Sequence, residues 1–194
     1  MAKIGCKRQM AAVVKTCVDG SAVVYDTGLE LIGGSGVQSI DLSWNYADAS
    51  LYLDDKLAES DRTLTSGTVT VNVGGLSDEE RKALLGDVIE DTDLIRTDAQ
   101  APFVGYGFIS CETRAGVKQY IAHWLYKVQF VQSSDSYSTK AESMDYQTIS
   151  LDGKVLGVIV DSTGTTRYEA KSAFTTEAEA ATWLKTKANI TTGK

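Results

Sequence analysis

Proline appears once in this chain of 194 residues, at Pro102, and histidine once, at His123. The single histidine excludes a good deal. A metal site built on imidazole needs more than one ring, and no carboxylate sits at a ligand-like offset from His123. No Gly-x-Ser-x-Gly turn is present to present a nucleophile. With His123 as the sole imidazole base, a serine or cysteine triad is disfavoured, and His123 is read as structural. Cysteine is scarce as well. Cys6, Cys17 and Cys111 are odd in number and irregular in spacing, which fits neither a disulfide framework nor a zinc pattern. They are read as free thiols in a reducing cytosol. No run approaches the ~20 apolar residues that span a bilayer, and the chain begins without a signal-peptide core. A cytoplasmic location is expected unless a particle carries the protein out. A basic excess is also lacking: 26 acidic side chains stand against 19 basic ones, for a net charge of −7. Tight nucleic-acid binding needs clustered Lys and Arg and is disfavoured. Acidity of this kind ordinarily serves solubility; a wall that repels phosphate would also suit a non-stick conduit.

What is present points to β structure. Glycine is abundant, at 17 residues, beside many Thr, Val and Tyr; that mixture favours turn-rich sheets. Residues 37–44 alternate, with Val37, Ser39, Asp41 and Ser43 on one side and Gln38, Ile40, Leu42 and Trp44 on the other. Residues 68–73 alternate too, with Thr68, Thr70 and Asn72 opposite Val69, Val71 and Val73. Each strand has one dry face and one wettable face. Between them, residues 45–67 read as a long charged loop, and loops of that length are usually functional or disordered. Residues 1–9 read as a loose arm. A hairpin is expected around Asp19-Gly20-Ser21. Further strands are expected at 103–111, 118–131, 146–151, 154–160 and 166–174, with a turn at Asp152-Gly153 and a polar surface loop over 132–140. Gly33-Gly34-Ser35-Gly36 is a flexible break, not a phosphate loop, since no Gly-Lys-Ser/Thr follows.

Two capping boxes mark helices. Ser77 with Glu80 opens one that ends near Gly86, and Thr176 with Glu179 opens a C-terminal one over 176–188. Ala180, Trp183, Leu184 and Ala188 form the apolar stripe of the second. The total is roughly nine or ten strands by pattern. Strands cluster and do not alternate with helices, so a single-domain, mainly β antiparallel sandwich or barrel with peripheral helices is expected.

The residues leave three functional classes in view. Trp124, Tyr126, Val128 and Phe130 form an aromatic stripe, read as core or as a sugar-stacking face on a monomeric carbohydrate-binding β-sandwich. Carboxylate pairs at Asp54-Asp55, Glu59 with Asp61, and Glu90-Asp91 with Asp93 are candidates for hydrolytic chemistry, and in charged loops such groups are usually solvated. The third class is self-assembly through exposed strand edges.

Four segments in order bear a family likeness. Leu51-Tyr52-Leu53-Asp54-Asp55 with Ala58-Glu59 resembles the "LYxDD…AE" segment of the phi-thirteen type of major tail protein of long-tailed bacteriophages. Ala101-Pro102-Phe103-Val104 with Gly107-Phe108 resembles its "APYVxxGF" strand, and Trp124-Leu125-Tyr126-Lys127 with Phe130 its "WLYKxxF" strand. Thr139-Lys140 with Ser143 and Tyr146-Gln147-Thr148 resembles its "TKxxS…FQT" segment, although Met144 stands where a proline is usual. The likeness runs from about residue 4 to 160 and fades over 161–194. It implies a tail tube protein with no catalytic residue, cofactor or metal. Copies would close hexameric rings that stack into a hollow virion tail. The implied partners are the protein itself, a tape-measure protein, the terminator and distal tail proteins, and double-stranded DNA in transit, with no membrane. On this reading Ser39, Asp41, Ser43, Thr68, Thr70 and Asn72 face the lumen. The 45–67 loop reaches the next ring, with Tyr52, Leu53 and Leu57 as anchors. Asp54, Asp55 and Glu59 would pair with cations such as Arg8, Arg62 or Arg81.

Overall fold

The computed structural model describes residues 2–31, 36–53, 56–91, 93–114, 116–134 and 148–190. In chain order the strands are β1 (Ala2–Thr16), β2 (Val24–Tyr25), β3 (Leu29–Leu31), β4 (Val37–Leu53) and β5 (Lys56–Val73). Helix α1 (Asp78–Leu85) follows, then β6 (Val88–Glu90), β7 (Asp93–Ile95), β8 (Phe103–Arg114) and β9 (Val117–Ser134). The chain continues through β10 (Ile149–Val155), β11 (Val158–Ile159), β12 (Thr166–Arg167) and β13 (Glu169–Phe174), and its last described element is α2 (Glu177–Lys187).

The fold is mainly β and antiparallel. Its main sheet runs β2-β1-β8-β9-β10-β5-β4, with β13 added beside β9 and β3 beside β1. The alternating strands explain the layers. One core lies between the β1-β8-β9 part and the β10-β5-β4 part, where Val69, Val71, Tyr106, Val128, Phe130 and Leu151 meet. A second core lies on the opposite face of β1-β8-β9, where Met10, Ile109, Ala122 and Trp124 are covered by Ala180, Leu184 and Ala188 of α2. Both capping boxes form, at Ser77–Glu80 and Thr176–Glu179. α1 ends at Gly86 in the left-handed region, φ 78°, a conformation that costs glycine little.

Three expectations are corrected, two of them by strand irregularities. In the β8–β9 pairing, β9 carries one extra residue between Leu125 and Val128. A bulge of this kind moves every later side chain to the other face. Trp124 therefore belongs to the core under α2, while Val128 and Phe130 belong to the other core, so the aromatic stripe is not one face. At the start of β4 a similar shift lies between Val37 and Ser39, and Val37 packs inward with Ile40, Leu42 and Trp44. Asp152-Gly153 is not a turn, because β10 runs straight through it between β5 and β9. A Cβ on Gly153 would lie 2.7–2.8 Å from Phe130, Val128 and Val69, so the glycine is there for close packing.

The start of the chain is not a loose arm. β1 pairs with β8 from Ala2 to Val13 and carries a bulge at Arg8, whose φ is 46°. The Arg8 side chain reaches Glu30 of β3 at 2.9 Å and Glu177 of α2 at 3.0 Å. The C-terminal helix is thus tied to its own subunit. The expected β1–β2 hairpin is present, with Val14 opposite Tyr25.

Candidate functional site

The most prominent surface feature is the hairpin of β4 and β5. Residues 45–67 were expected to form a loop, but they are paired strand from Asn45–Ser66 out to Leu53–Lys56. The period-two pattern was hard to read there because the described side chains of the ribbon are wet on both faces. Every described side chain over 45–50 and 60–63 is exposed. From Tyr46 to Leu53 the ribbon extends about 25 Å at the usual rise per strand residue. One extra residue, Thr65, opposes the Asn45–Tyr46 step, and its hydroxyl donates to the Asn45 carbonyl at 3.1 Å. Bulges re-aim strands, and this one sits where the ribbon leaves the body. Tyr168 anchors the base: its hydroxyl donates to the Leu64 carbonyl at 3.0 Å, and its ring meets Trp44 edge-on.

Farther out, Arg62 and Asp48 form a two-pronged ion pair at 2.5 and 3.0 Å, with the guanidinium 5.9 Å from the Tyr46 ring. The hydrogen bond from Arg62 holds the Asp48 carboxyl below its ordinary range. Within the chain, the cations named as partners for Asp54, Asp55 and Glu59 are engaged: Arg62 holds Asp48, Arg8 holds Glu30 and Glu177, and Arg81 donates to Gln132. Tyr52, Leu53, Leu57 and Glu59 lie on the paired strands, whereas Asp54 and Asp55 fall outside the described residues. So do most of the 132–140 loop and the first residues of the 146–151 strand, while β9 itself continues to Ser134.

The six expected lumen residues share one face. Ser39, Asp41 and Ser43 stand opposite Asn72, Thr70 and Thr68 in register, while Val69, Val71 and Val73 are buried behind them. The Asn72 amide donates to the Ser39 hydroxyl at 2.9 Å. The face is wider than the sequence suggested. Ser150, Asp152 and Lys154 of β10 lie opposite Asn72, Thr70 and Thr68, and the Thr70 hydroxyl donates to Asp152 at 2.7 Å. Reading a turn at Asp152-Gly153 concealed these residues. Only the alternation of one continuous strand would have revealed them.

The sugar-stacking alternative lacks its platform, since Trp124 and Phe130 are both 0% exposed. His123, in contrast, sits in an arrangement that no local motif announced. Its Nε2 is 2.9 Å from Ser110 Oγ and its Nδ1 is 2.7 Å from Glu169 Oε1, with Phe108 stacked on the ring at 4.6 Å. An ionised carboxylate only accepts, so Nδ1–H donates to Glu169, and in the neutral ring Nε2 accepts from the Ser110 hydroxyl. Burial pushes the Glu169 carboxyl up, but hydrogen bonds from His123 and Lys171 outweigh it and bring the group below its ordinary value. The order Ser-His-Glu is that of a hydrolytic triad. Catalysis of that kind also needs N–H donors aimed at an oxyanion. Here the backbone around Ser110 is held in ladders on both sides, with β1 and with β9, and Ser110 is 8% exposed. The relay fastens β13 to β8 and β9.

Among the described residues no group of three metal-ligating side chains is present, and no helix is long and apolar enough to cross a membrane. No protein-family model matches the chain, and no curated protein matches it significantly.

Proposed function

We propose that this protein is a self-assembling structural protein of the tail tube type, non-enzymatic, whose copies close hexameric rings that stack into a hollow conduit for DNA. The observation that carries this reading is the outer part of the β4–β5 hairpin, whose described side chains over 45–50 and 60–63 are all exposed. An isolated two-stranded ribbon is marginal in water, and an exposed edge of this length invites pairing unless a partner covers it. The ribbon is therefore matched to a surface on another molecule. A polar face over β4, β5 and β10, with Asp41 and Asp152 upon it, suits a wetted bore that DNA passes without gripping. A contact between unlike surfaces of identical chains closes a ring or propagates a filament. On this reading the protein resides in the virion tail.

The test is to replace residues 49–61 with an Asn-Gly turn that closes the Asp48–Arg62 pair. The shortened protein is expected to keep its circular dichroism and remain monomeric, while the intact chain forms rings or tubes under negative stain. Tubes of normal appearance from the shortened chain would refute the role of the ribbon. In the same reading Ser110 is a structural hydroxyl, so a fluorophosphonate probe is expected to leave it unlabelled. Labelling at Ser110 would move the protein among the serine hydrolases.

A further inference from the structure

A cleft of about 620 Å³ opens beside the C-terminal end of α2, between that helix and the β1–β2 hairpin. Its apolar lining includes Val24, Tyr25, Tyr126 and Val160, and its cations are Arg167 and Lys187. Trp124 forms the buried floor, donating to the Tyr25 hydroxyl at 3.3 Å, and Tyr25 donates in turn to the Tyr126 carbonyl at 2.8 Å. The walls are thus held by their own hydrogen bonds. Val24 is nevertheless 49% exposed, and no carboxylate is among the described lining residues. Asp161 pairs with Arg167 from outside the cleft, and Lys187 lies over the Trp183 ring.

The ribbon has the complementary chemistry. Residues 45–67 include the carboxylates of Asp48, Asp54, Asp55, Glu59 and Asp61 against two cations, Lys56 and Arg62, and the apolar side chains Leu51, Tyr52, Leu53 and Leu57. We infer that the β4–β5 ribbon of a second copy docks in this cleft, with apolar side chains on Val24 and Tyr126 and acidic ones toward Arg167 and Lys187. This inference rests on the self-assembly reading and adds the receiving surface to it. A cleft whose described wall carries cations and no carboxylate favours an acidic occupant over a basic one, and a half-exposed valine beside two tyrosines favours an apolar anchor.

The experiment places the photo-crosslinker p-benzoylphenylalanine at position 50 of the full chain and maps the linked peptides by mass spectrometry. Links from one copy to residues 22–25 or 186–189 of another are expected, as is their loss in an Arg167→Glu, Lys187→Glu double variant of unchanged circular dichroism. Val24→Asp is expected to cause the same loss and serves if the double variant does not fold. Inter-copy links that map to another surface would overturn the cleft as receiver and leave the self-assembly reading in place. A chain that stays monomeric at high concentration and gives no inter-copy link would overturn both.

Discussion

Gly153 shows how a single residue decides packing in this protein. A methyl group there meets two valines and a phenylalanine that are fully buried, or nearly so, and no exposed atom can move aside. Overpacking a close-packed core costs about 1–3 kcal/mol. Gly153→Ala is accordingly expected to lower the denaturation midpoint without changing the slope, and an unchanged midpoint would mean that the β5–β10–β9 core gives way easily. Glu169 carries the second residue-scale prediction. Its carboxyl titrates lower in the folded chain than the ordinary value of 4.5, so the folded state holds fewer protons across that interval. Its stabilisation is complete above the unfolded value and is lost as pH falls through the folded one. Glu169→Gln is expected to flatten the acid limb of the stability profile below about pH 4.5. An acid limb identical to that of the parent would dissociate the His123–Glu169–Lys171 contacts from stability.

At the scale of elements, α2 is held by three devices of different kinds. Thr176 and Glu179 cap its first turn. Lys7 and Arg8 both reach Glu177 at 3.0 Å. Leu184 packs against Gly107, where a Cβ would lie 2.7 Å from its methyl and 2.6 Å from the Trp124 ring. The exposed ion pairs contribute little each, whereas an N-cap is typically worth about 1 kcal/mol. Thr176→Ala is expected to cost that amount in equilibrium unfolding and to leave β-sheet signals intact. A loss several times larger would show that α2 docking, and not local capping, depends on Thr176. The bulge in β9 acts at the same scale. It is where the sheet forks, with β13 beside Tyr120–Leu125 and β10 beside Val128–Ser134 on the same edge.

For the whole molecule, the hairpin of β4 and β5 divides the structure into a body with two cores and an outer ribbon none of whose described side chains belongs to either core. Its described outer side chains are exposed, so removing residues 49–61 takes no described core residue from the body. The shortened protein is expected to unfold within about 0.5 kcal/mol of the parent, the range of surface changes. A marked loss would mean that the ribbon folds back on its own subunit, which is incompatible with a role between copies.

Much of this was legible along the chain. Local chemistry set the capping boxes at Ser77 and Thr176, the turn between β1 and β2, and the opposition of Thr68, Thr70 and Asn72 to three valines, because each depends on neighbours within a few residues. The one-residue insertions at Arg8, Val37–Ser39 and Leu125–Val128 were hidden. A bulge is defined by the partner strand, and no spacing in a single strand reports it. The same limit kept Asp152 and Lys154 off the polar face and left Ser110, His123 and Glu169 as unrelated residues until register brought them within hydrogen-bonding distance. Sequence thus determined which face of β5 is dry and where the helices start. Only tertiary structure decided which strands share a core, and that a charged stretch between two strands continues as a ribbon, since pairing energy comes from the strand opposite and not from the residues' own alternation.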